Sequence, residues 1–302
     1  MLDLCKEHFN DKEYKDIRFN EPMKNHTTFK IGGPADIMII PSSEEELIKA
    51  VTFSRENNIK HFIMGNGSNL LVRDEGIRGL VIKINGNFDK VIVEDNIITV
   101  QAGALLSTTS KEALKHSLTG MEFASGIPGT VGGGVVMNAG AYGGEMKDIV
   151  KSVRVLTNDN KIVELTNKEL NFTYRNSKVK ELDWIILSTA FELKKDDYLK
   201  IEEKMKDLTF QRTSKQPLEM ASGGSTFKRP EGYFAGKLID DSGLRGLRHG
   251  DAQVSEKHCG FVVNRGNSTY KEVMELIGVI KKTVRDNYKV DLEMEIKQVG
   301  DS

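Results

Sequence analysis

Cysteine is nearly absent. Cys5 and Cys259 are the only two in 302 residues, far apart and without a CxxC spacing, which argues against a disulfide scaffold, a zinc ribbon or a dithiol redox motif and favours a reducing compartment. An excess of either charge is also missing. With 43 Lys and Arg against 44 Asp and Glu, no net basic field favours nucleic acid or an anionic membrane as the main partner, and a small-molecule partner is expected. No apolar run approaches the roughly 20 residues of a membrane helix, and the N-terminus MLDLCKEHFNDKEYK is charged throughout, so a cytosolic protein without membrane insertion is expected. The six histidines show no HxH or HExxH spacing, which speaks against a metal site. His258 and Cys259 do not read as a catalytic pair, because neighbours on a strand point to opposite faces.

What the chain does hold is glycine, concentrated in GMEFASGIPGTVGGGVVMNAGAYGGE from Gly120 to Glu145, where nine of the first 25 residues are Gly. Such a backbone can take positive φ and approach a bound group closely. The stretch contains neither Lys nor Arg, so an anion bound here is expected to be met by N–H groups and helix N-termini, as a dinucleotide pyrophosphate would be. Ile127, Val131, Val135, Val136 and Met137 lie among the glycines, which favours a packed cradle over a linker. A second segment, GNGSNL from Gly65, begins like GxGxxG, but Leu70 stands at the third glycine and a strand is expected to follow, so a Rossmann reading is weak. Two glycine-rich segments about sixty residues apart, each after a strand, suggest one long cofactor with its pyrophosphate between them. FAD fits better than NAD.

In chain order, residues 1 to about 20 have a helical alternation ended by Glu21-Pro22. ADIMIIP reads as a buried strand, Ser42 and Glu45 as a capping box opening a helix with Leu47, Ala50 and Val51 inward, and HFIM and GLVIKI as further strands. VIVE and ITVQAG are short strands, followed by a helix from about Leu106 to His116 and then the glycine-rich stretch. VKSVRVL and KIVEL are expected to pair as a hairpin through Asn158-Asp159-Asn160, with WIILSTAFEL another strand. Residues 196–211 read as an amphipathic helix with Leu199, Met205 and Leu208 inward. Thr269 and Glu272 cap a long helix striped by Val273, Leu276, Ile277, Ile280 and Val284, and DLEMEIKQVG closes the chain as an edge strand.

The set GNGSNLLV, ASGIPGTVGGGVVMNAGAYGGE, YRNS, GGSTFKRP, GYFAGKLID and LEMEI, in this order, resembles the UDP-N-acetylenolpyruvoylglucosamine reductase (MurB) family of peptidoglycan precursor synthesis from about Asn25 to Val299. The resemblance implies an α+β fold: a two-part FAD-binding region of the PCMH or vanillyl-alcohol-oxidase type and a C-terminal α+β substrate-binding domain. The boundaries expected are an N-terminal helical segment at 1–24, the FAD-binding domain at 25–195 with subdomains of about 25–84 and 85–195, and the substrate domain at 196–302. The short link between Leu193 and Gln211 matches the shorter, type II form. The implied reaction uses NADPH as co-substrate and non-covalent FAD to reduce UDP-N-acetylglucosamine enolpyruvate to UDP-N-acetylmuramate. Its cofactor site would be Gly65, Asn66, Gly67, Ser68 and Asn69 with Gly126, Ile127, Pro128, Gly129, Thr130, Gly132, Gly133, Asn138 and Gly140.

By the same resemblance Arg175 of YRNS is the arginine that stabilises the enolate-like state, Ser225 of GGSTF the proton donor and Glu295 of LEMEI the third catalytic residue. Taken alone, these three read as a surface arginine, a turn serine and a solvated edge charge. Lys215, Lys228 and Arg229 are candidates for the substrate's diphosphate or carboxylate, with Tyr174 and His258 as further lining residues, although a Lys/Arg cluster is more often a solvated face. Two other readings share the cradle. One is a flavin-dependent alcohol oxidase of the same fold superfamily; the other is a non-catalytic flavin or nucleotide-sugar binding module. Both lack a reason to keep YRNS, GGSTFKRP and LEMEI together.

Overall fold

The computed structural model describes residues 2–9 and 14–301. Helix α1 (Leu2–His8) is followed by strand β1 (Ile17–Pro22), where helical periodicity is expected to run on to about residue 20. A sheet partner overrides that local pattern, since β1 is laddered beside β2 (Pro34–Ile39). Helix α2 (Glu44–Glu56) begins one residue later than the expected capping box. Ser43 is the N-cap, accepting from the Glu46 N–H at 3.1 Å, while the Ser42 N–H and hydroxyl both donate to the Glu46 carboxylate. Leu47, Ala50 and Val51 are buried as expected. Then come β3 (His61–Met64), β4 (Leu70–Val72) and β5 (Ile77–Lys83), and a four-stranded sheet takes the order β1-β2-β5-β3.

Strands β6 (Val91–Glu94) and β7 (Ile97–Gln101) lead into α3 (Leu106–Lys115) and the two-residue β8 (Leu118–Thr119). The glycine-rich stretch folds as a loop, a short helix α4 (Val131–Val136) and a ribbon of β9 (Gly140–Ala141) and β10 (Gly144–Glu145). Next are β11 (Val150–Leu156), β12 (Ile162–Thr166), the one-turn α5 (Lys178–Glu181), β13 (Ile185–Glu192) and β14 (Lys194–Lys195). The expected hairpin is present, with Leu156 opposite Ile162. Antiparallel β12-β11-β13-β7-β6 form a five-stranded sheet with Ile98, Val100, Val153, Val155 and Leu187 in its core, and α4 packs on β13 and β7.

Helix α6 (Tyr198–Lys215) is less amphipathic than expected: Ile201 is buried, Met205 and Leu208 are half-buried, and Leu199 is 68% exposed. Beyond it lie β15 (Ala221–Ser222), α7 (Ala235–Asp241), β16 (Arg248–His249), β17 (Ala252–Val254), β18 (Val262–Asn264), α8 (Tyr270–Tyr288) and β19 (Lys297–Val299). The reciprocal Thr269 and Glu272 box caps α8, whose predicted stripe is buried against Leu238, Ile239, Val254 and Val262. Among the described residues no helix is long and apolar enough to cross a membrane.

By contacts the chain divides into two compact units. One comprises Met1–Arg18, Met38–Asn66 and Leu80–Arg212; the other comprises Phe19–Ile37, Gly67–Gly79 and Thr213–Ser302. This division differs from the contiguous boundaries expected near residues 25, 85 and 196. β19 runs parallel to β4, and Phe29, Ile31 and Leu71 belong to the apolar core built on α7 and α8, so two early segments group with the C-terminal third.

Candidate active site

In the first unit the two glycine-rich segments meet. Asn66 Nδ2 donates to the Pro128 carbonyl at 2.6 Å, and a side chain at Gly65 would collide with the Thr130 hydroxyl. Thr130 Oγ1 caps α4 by accepting from the Gly133 N–H at 3.3 Å. The N–H groups of Val131 and Gly132 go to Ala104 and Ala102, and that of Ile127 to Ala124. The expected set therefore splits. Ile127, Gly132 and Gly133 have spent their N–H groups inside the protein, and a Cβ on Gly132 would lie 2.9 Å from the Ala102 Cβ, so glycine there serves packing. Asn138, also expected at the cofactor, is 1% exposed, with both Nδ2 donors and its Oδ1 engaged by protein groups and its backbone N–H donated to the Val135 carbonyl, so it serves the fold.

The N–H groups of Asn66, Gly126 and Gly129 have no acceptor among the described residues, and neither do those of Gly67 and Ser68, which follow in the chain. Unpaired donors on a glycine backbone fit a phosphate group. In the second unit Asn69 is tied to the segment that carries Glu295, which lies just before β19 and not in the closing strand expected over DLEMEIKQVG: its Nδ2 donates to the Glu295 carbonyl at 3.3 Å, and its own carbonyl accepts from Lys297.

A cation that sequence inspection missed joins the cradle. Arg212, near the end of α6, lies against Gly126, where a Cβ would come 2.8 Å from its Cδ. Its guanidinium makes no hydrogen bond or ion pair among the described residues; burial pulls its pKa down, and Tyr142 is the group that opposes the shift. The expectation that backbone alone meets an anion here is corrected, because α6 brings in a cation from some eighty residues downstream. One signal was available: Met205, Leu208 and Arg212 recur at helical spacing, so a charge sits on the inward stripe.

Arg175 stands at the tip of a tight loop in the first unit. Thr173 and Asn176 exchange both backbone hydrogen bonds, at 3.1 and 3.2 Å, leaving Tyr174 and Arg175 between them. Arg175 has φ 55°, an uncommon backbone for a residue with a long side chain, and such outliers collect at functional sites. Its guanidinium carbon lies 5.3 Å from the centre of the Tyr174 ring, and Nη2 donates to the Gly140 carbonyl at 3.4 Å. Tyr174 is 51% exposed, its ring beside the Arg175 cation.

Ser225 and Glu295 belong to the second unit, on segments laddered through one antiparallel bridge. Phe227 pairs with Met294, the Glu295 N–H donates to the Thr226 carbonyl and the Lys228 N–H to the Glu293 carbonyl. The half-buried Ser225 hydroxyl donates to the Phe227 carbonyl at 3.1 Å. Lys228 is bound to Glu293 at 2.8 Å, Arg229 lies 4.1 Å above the exposed Phe234 ring, and Lys215 is exposed at the end of α6. His258 is a packing residue by its contacts: Nδ1 accepts from the Gly260 N–H, the ring lies against Gly236 and Phe261, and burial lowers its pKa. Cys259 is buried, and burial pushes its thiol up to about 11, which denies it a nucleophile's role at neutral pH.

The family model described as UDP-N-acetylenolpyruvoylglucosamine reductase, C-terminal domain, matches residues 216–299, and that described as FAD binding domain matches residues 35–166. UDP-N-acetylenolpyruvoylglucosamine reductase of Caldanaerobacter subterraneus is 53% identical over 94% of both chains. Its counterpart in Clostridioides difficile is 52% identical over 95% of this chain and 94% of that one. The crystal structure of UDP-N-acetylenolpyruvylglucosamine reductase from Thermus caldophilus superposes with a TM-score of 0.80 at 36% identity, covering 94% of this chain and 98% of the other.

Proposed function

Because the chain belongs to the UDP-N-acetylenolpyruvoylglucosamine reductase family, we propose that it reduces UDP-N-acetylglucosamine enolpyruvate to UDP-N-acetylmuramate, in the cytosol, with NADPH as co-substrate and non-covalent FAD. The first unit is the flavin-holding part and the second contributes the substrate-binding part. Bound FAD would supply the hydride carrier between NADPH and the enolpyruvyl carbon. The unpaired N–H groups of Asn66, Gly126 and Gly129 suit its pyrophosphate, and Arg212 suits an anionic part of it.

The rest of the work falls to side chains. Addition of hydride at C3 drives electrons toward the substrate carboxylate, and the Arg175 fork can take that charge in two parallel hydrogen bonds. The Ser225 hydroxyl then gives its proton to C2. A hydroxyl is a weak acid, but the enolate-like carbon is a strong base, so the transfer runs downhill. Glu295, whose N–H donates to the Thr226 carbonyl beside Ser225, would return a proton to the serine oxygen. The observation that supports the Ser225 and Glu295 roles is the Phe227–Met294 bridge, which brings their two segments side by side.

The purified protein should be yellow with about one FAD per chain, should bleach anaerobically with NADPH, and should regain its colour on adding the enolpyruvyl UDP-sugar. Reduction by an alcohol but not by NADPH would instead indicate an alcohol oxidase. Bleaching without recovery would leave a flavin module lacking this reaction.

Arg212 carries a separate expectation. Arg212→Met, of similar length but uncharged, should weaken FAD binding by about 10- to 100-fold, the loss of one charge-assisted contact. Fluorescence titration of the apoprotein measures this. A dissociation constant within about two-fold of wild type would remove Arg212 from the flavin site.

A further inference from the structure

We infer that Asn138 and Glu145 are positioning residues for the Arg175 guanidinium, a reading that rests on the role proposed above for Arg175. Asn138 is 1% exposed, with φ 43° at the end of α4, and its carboxamide joins three segments. Nδ2 donates to Glu145 Oε2 at 2.9 Å and to the Thr173 carbonyl at 3.0 Å, and Oδ1 accepts from the Lys147 N–H at 3.0 Å. Thr173 is the base of the two-residue tip that holds Arg175, so Asn138 grips that tip by its root. Both Nδ2 hydrogens are spent inside the protein. A buried amide with this many partners fixes relative positions, since breaking any one bond leaves a buried polar group unpaired.

Glu145 completes the arrangement from the ribbon. It lies opposite Gly140 in the β9–β10 pair, and the Gly140 carbonyl is the acceptor for Arg175 Nη2. Gly140 has no room for a side chain: a Cβ would come 2.7 Å from the Glu145 Cγ. Lys147, 2.9 Å away, and Asn138 hold the Glu145 carboxyl below its usual range, and the Arg175 charge acts in the same direction. The carboxylate is thus ionised at neutral pH and within electrostatic reach of the guanidinium. Arg175 needs such support, because its side chain starts from a two-residue loop tip and a misplacement of about 1 Å at a reacting centre can cost on the order of 100-fold in rate.

The test is a double-mutant cycle read on each half-reaction by stopped-flow absorbance. Glu145→Gln keeps the size and an acceptor for Asn138 while removing the charge; Asn138→Ala removes the grip on Thr173. Each should slow re-oxidation by the enolpyruvyl substrate by about 10- to 100-fold, with FAD content and the NADPH half unchanged. In an Arg175→Lys background Glu145→Gln should cost less than about two-fold, because its effect passes through the residue already altered. Equal costs in both backgrounds, or none in either, overturn the inference, and the near-isosteric Glu145→Gln keeps the test decisive if Asn138→Ala folds poorly. A second readout does not depend on catalysis. The Arg175 Nε–Hε order parameter should fall in Glu145→Gln, and an unchanged value counts against the brace. If Arg175→Lys alone leaves re-oxidation untouched, the role given to Arg175 fails, and the brace is then judged on this order parameter.

Discussion

Ser225→Ala is expected to slow re-oxidation of the reduced enzyme by the enolpyruvyl substrate by about two to four orders of magnitude, the ordinary size of lost general-acid help. The NADPH half should keep its wild-type rate, because no carbanion forms in it. The substitution is structurally mild. Ser225 is half-buried and its hydroxyl makes one hydrogen bond, to the Phe227 carbonyl, so its loss should lower stability by roughly 1 kcal/mol and leave the Phe227–Met294 bridge in place. Ser225→Cys should regain part of the rate, since a thiol is a competent donor of similar shape. Absorbance at the oxidised-flavin band follows each half separately. Equal slowing of both halves would assign Ser225 to folding or flavin geometry and make Glu295 the next candidate donor.

Arg175→Lys should lower the re-oxidation rate by about 100-fold or more while raising the KM for the UDP-sugar by less than about ten-fold, with FAD retained. The backbone isolates the side-chain effect. Arg175 sits at φ 55°, and lysine pays no more than arginine for that conformation, while the Thr173–Asn176 hydrogen bonds and the Lys180 contact to the Arg175 carbonyl do not involve the guanidinium. What changes is a planar fork replaced by a point charge, which can still attract a carboxylate but cannot follow its delocalised charge with two parallel bonds. Small and equal changes in rate and KM would show that Arg175 only binds. Steady-state titration with single-turnover re-oxidation makes that distinction.

The parts of the fold legible in the sequence are those decided within one element. The α8 stripe and its Thr269 cap, the β11–β12 hairpin, and the packed interior of the glycine-rich stretch around Val131 and Val135 are all set by local periodicity and turn chemistry. Ser43 in place of Ser42 as the α2 cap is a one-residue competition between adjacent hydroxyls, which propensity does not resolve. Residues 67–79 join the C-terminal unit because three-residue β19 finds β4, and residues 19–37 because Phe29 and Ile31 enter the core of α7 and α8; neither a strand that short nor two lone apolar residues carry a signal for their partner. At the candidate site, Ser225 and Glu295 look like a turn residue and an edge charge until six motifs in register single them out. Arg212 was hidden for another reason: its neighbour Gly126 is distant in sequence, and only the packing of α6 brings the two together.

The pairing of β4 with β19 also bears on how the chain is made. Phe29, Ile31 and Leu71, all at most 2% exposed in the finished protein, are made about two hundred residues ahead of their core partners on α8 and of strand Lys297–Val299. At roughly 5–20 residues per second of translation, these early apolar segments wait for tens of seconds without the surface that will cover them. The first unit, whose last segment ends at Arg212, can complete itself while synthesis continues. Two hydrophobic segments of the nascent chain therefore stay open to chaperones or to neighbouring chains until α8 and β19 have been made.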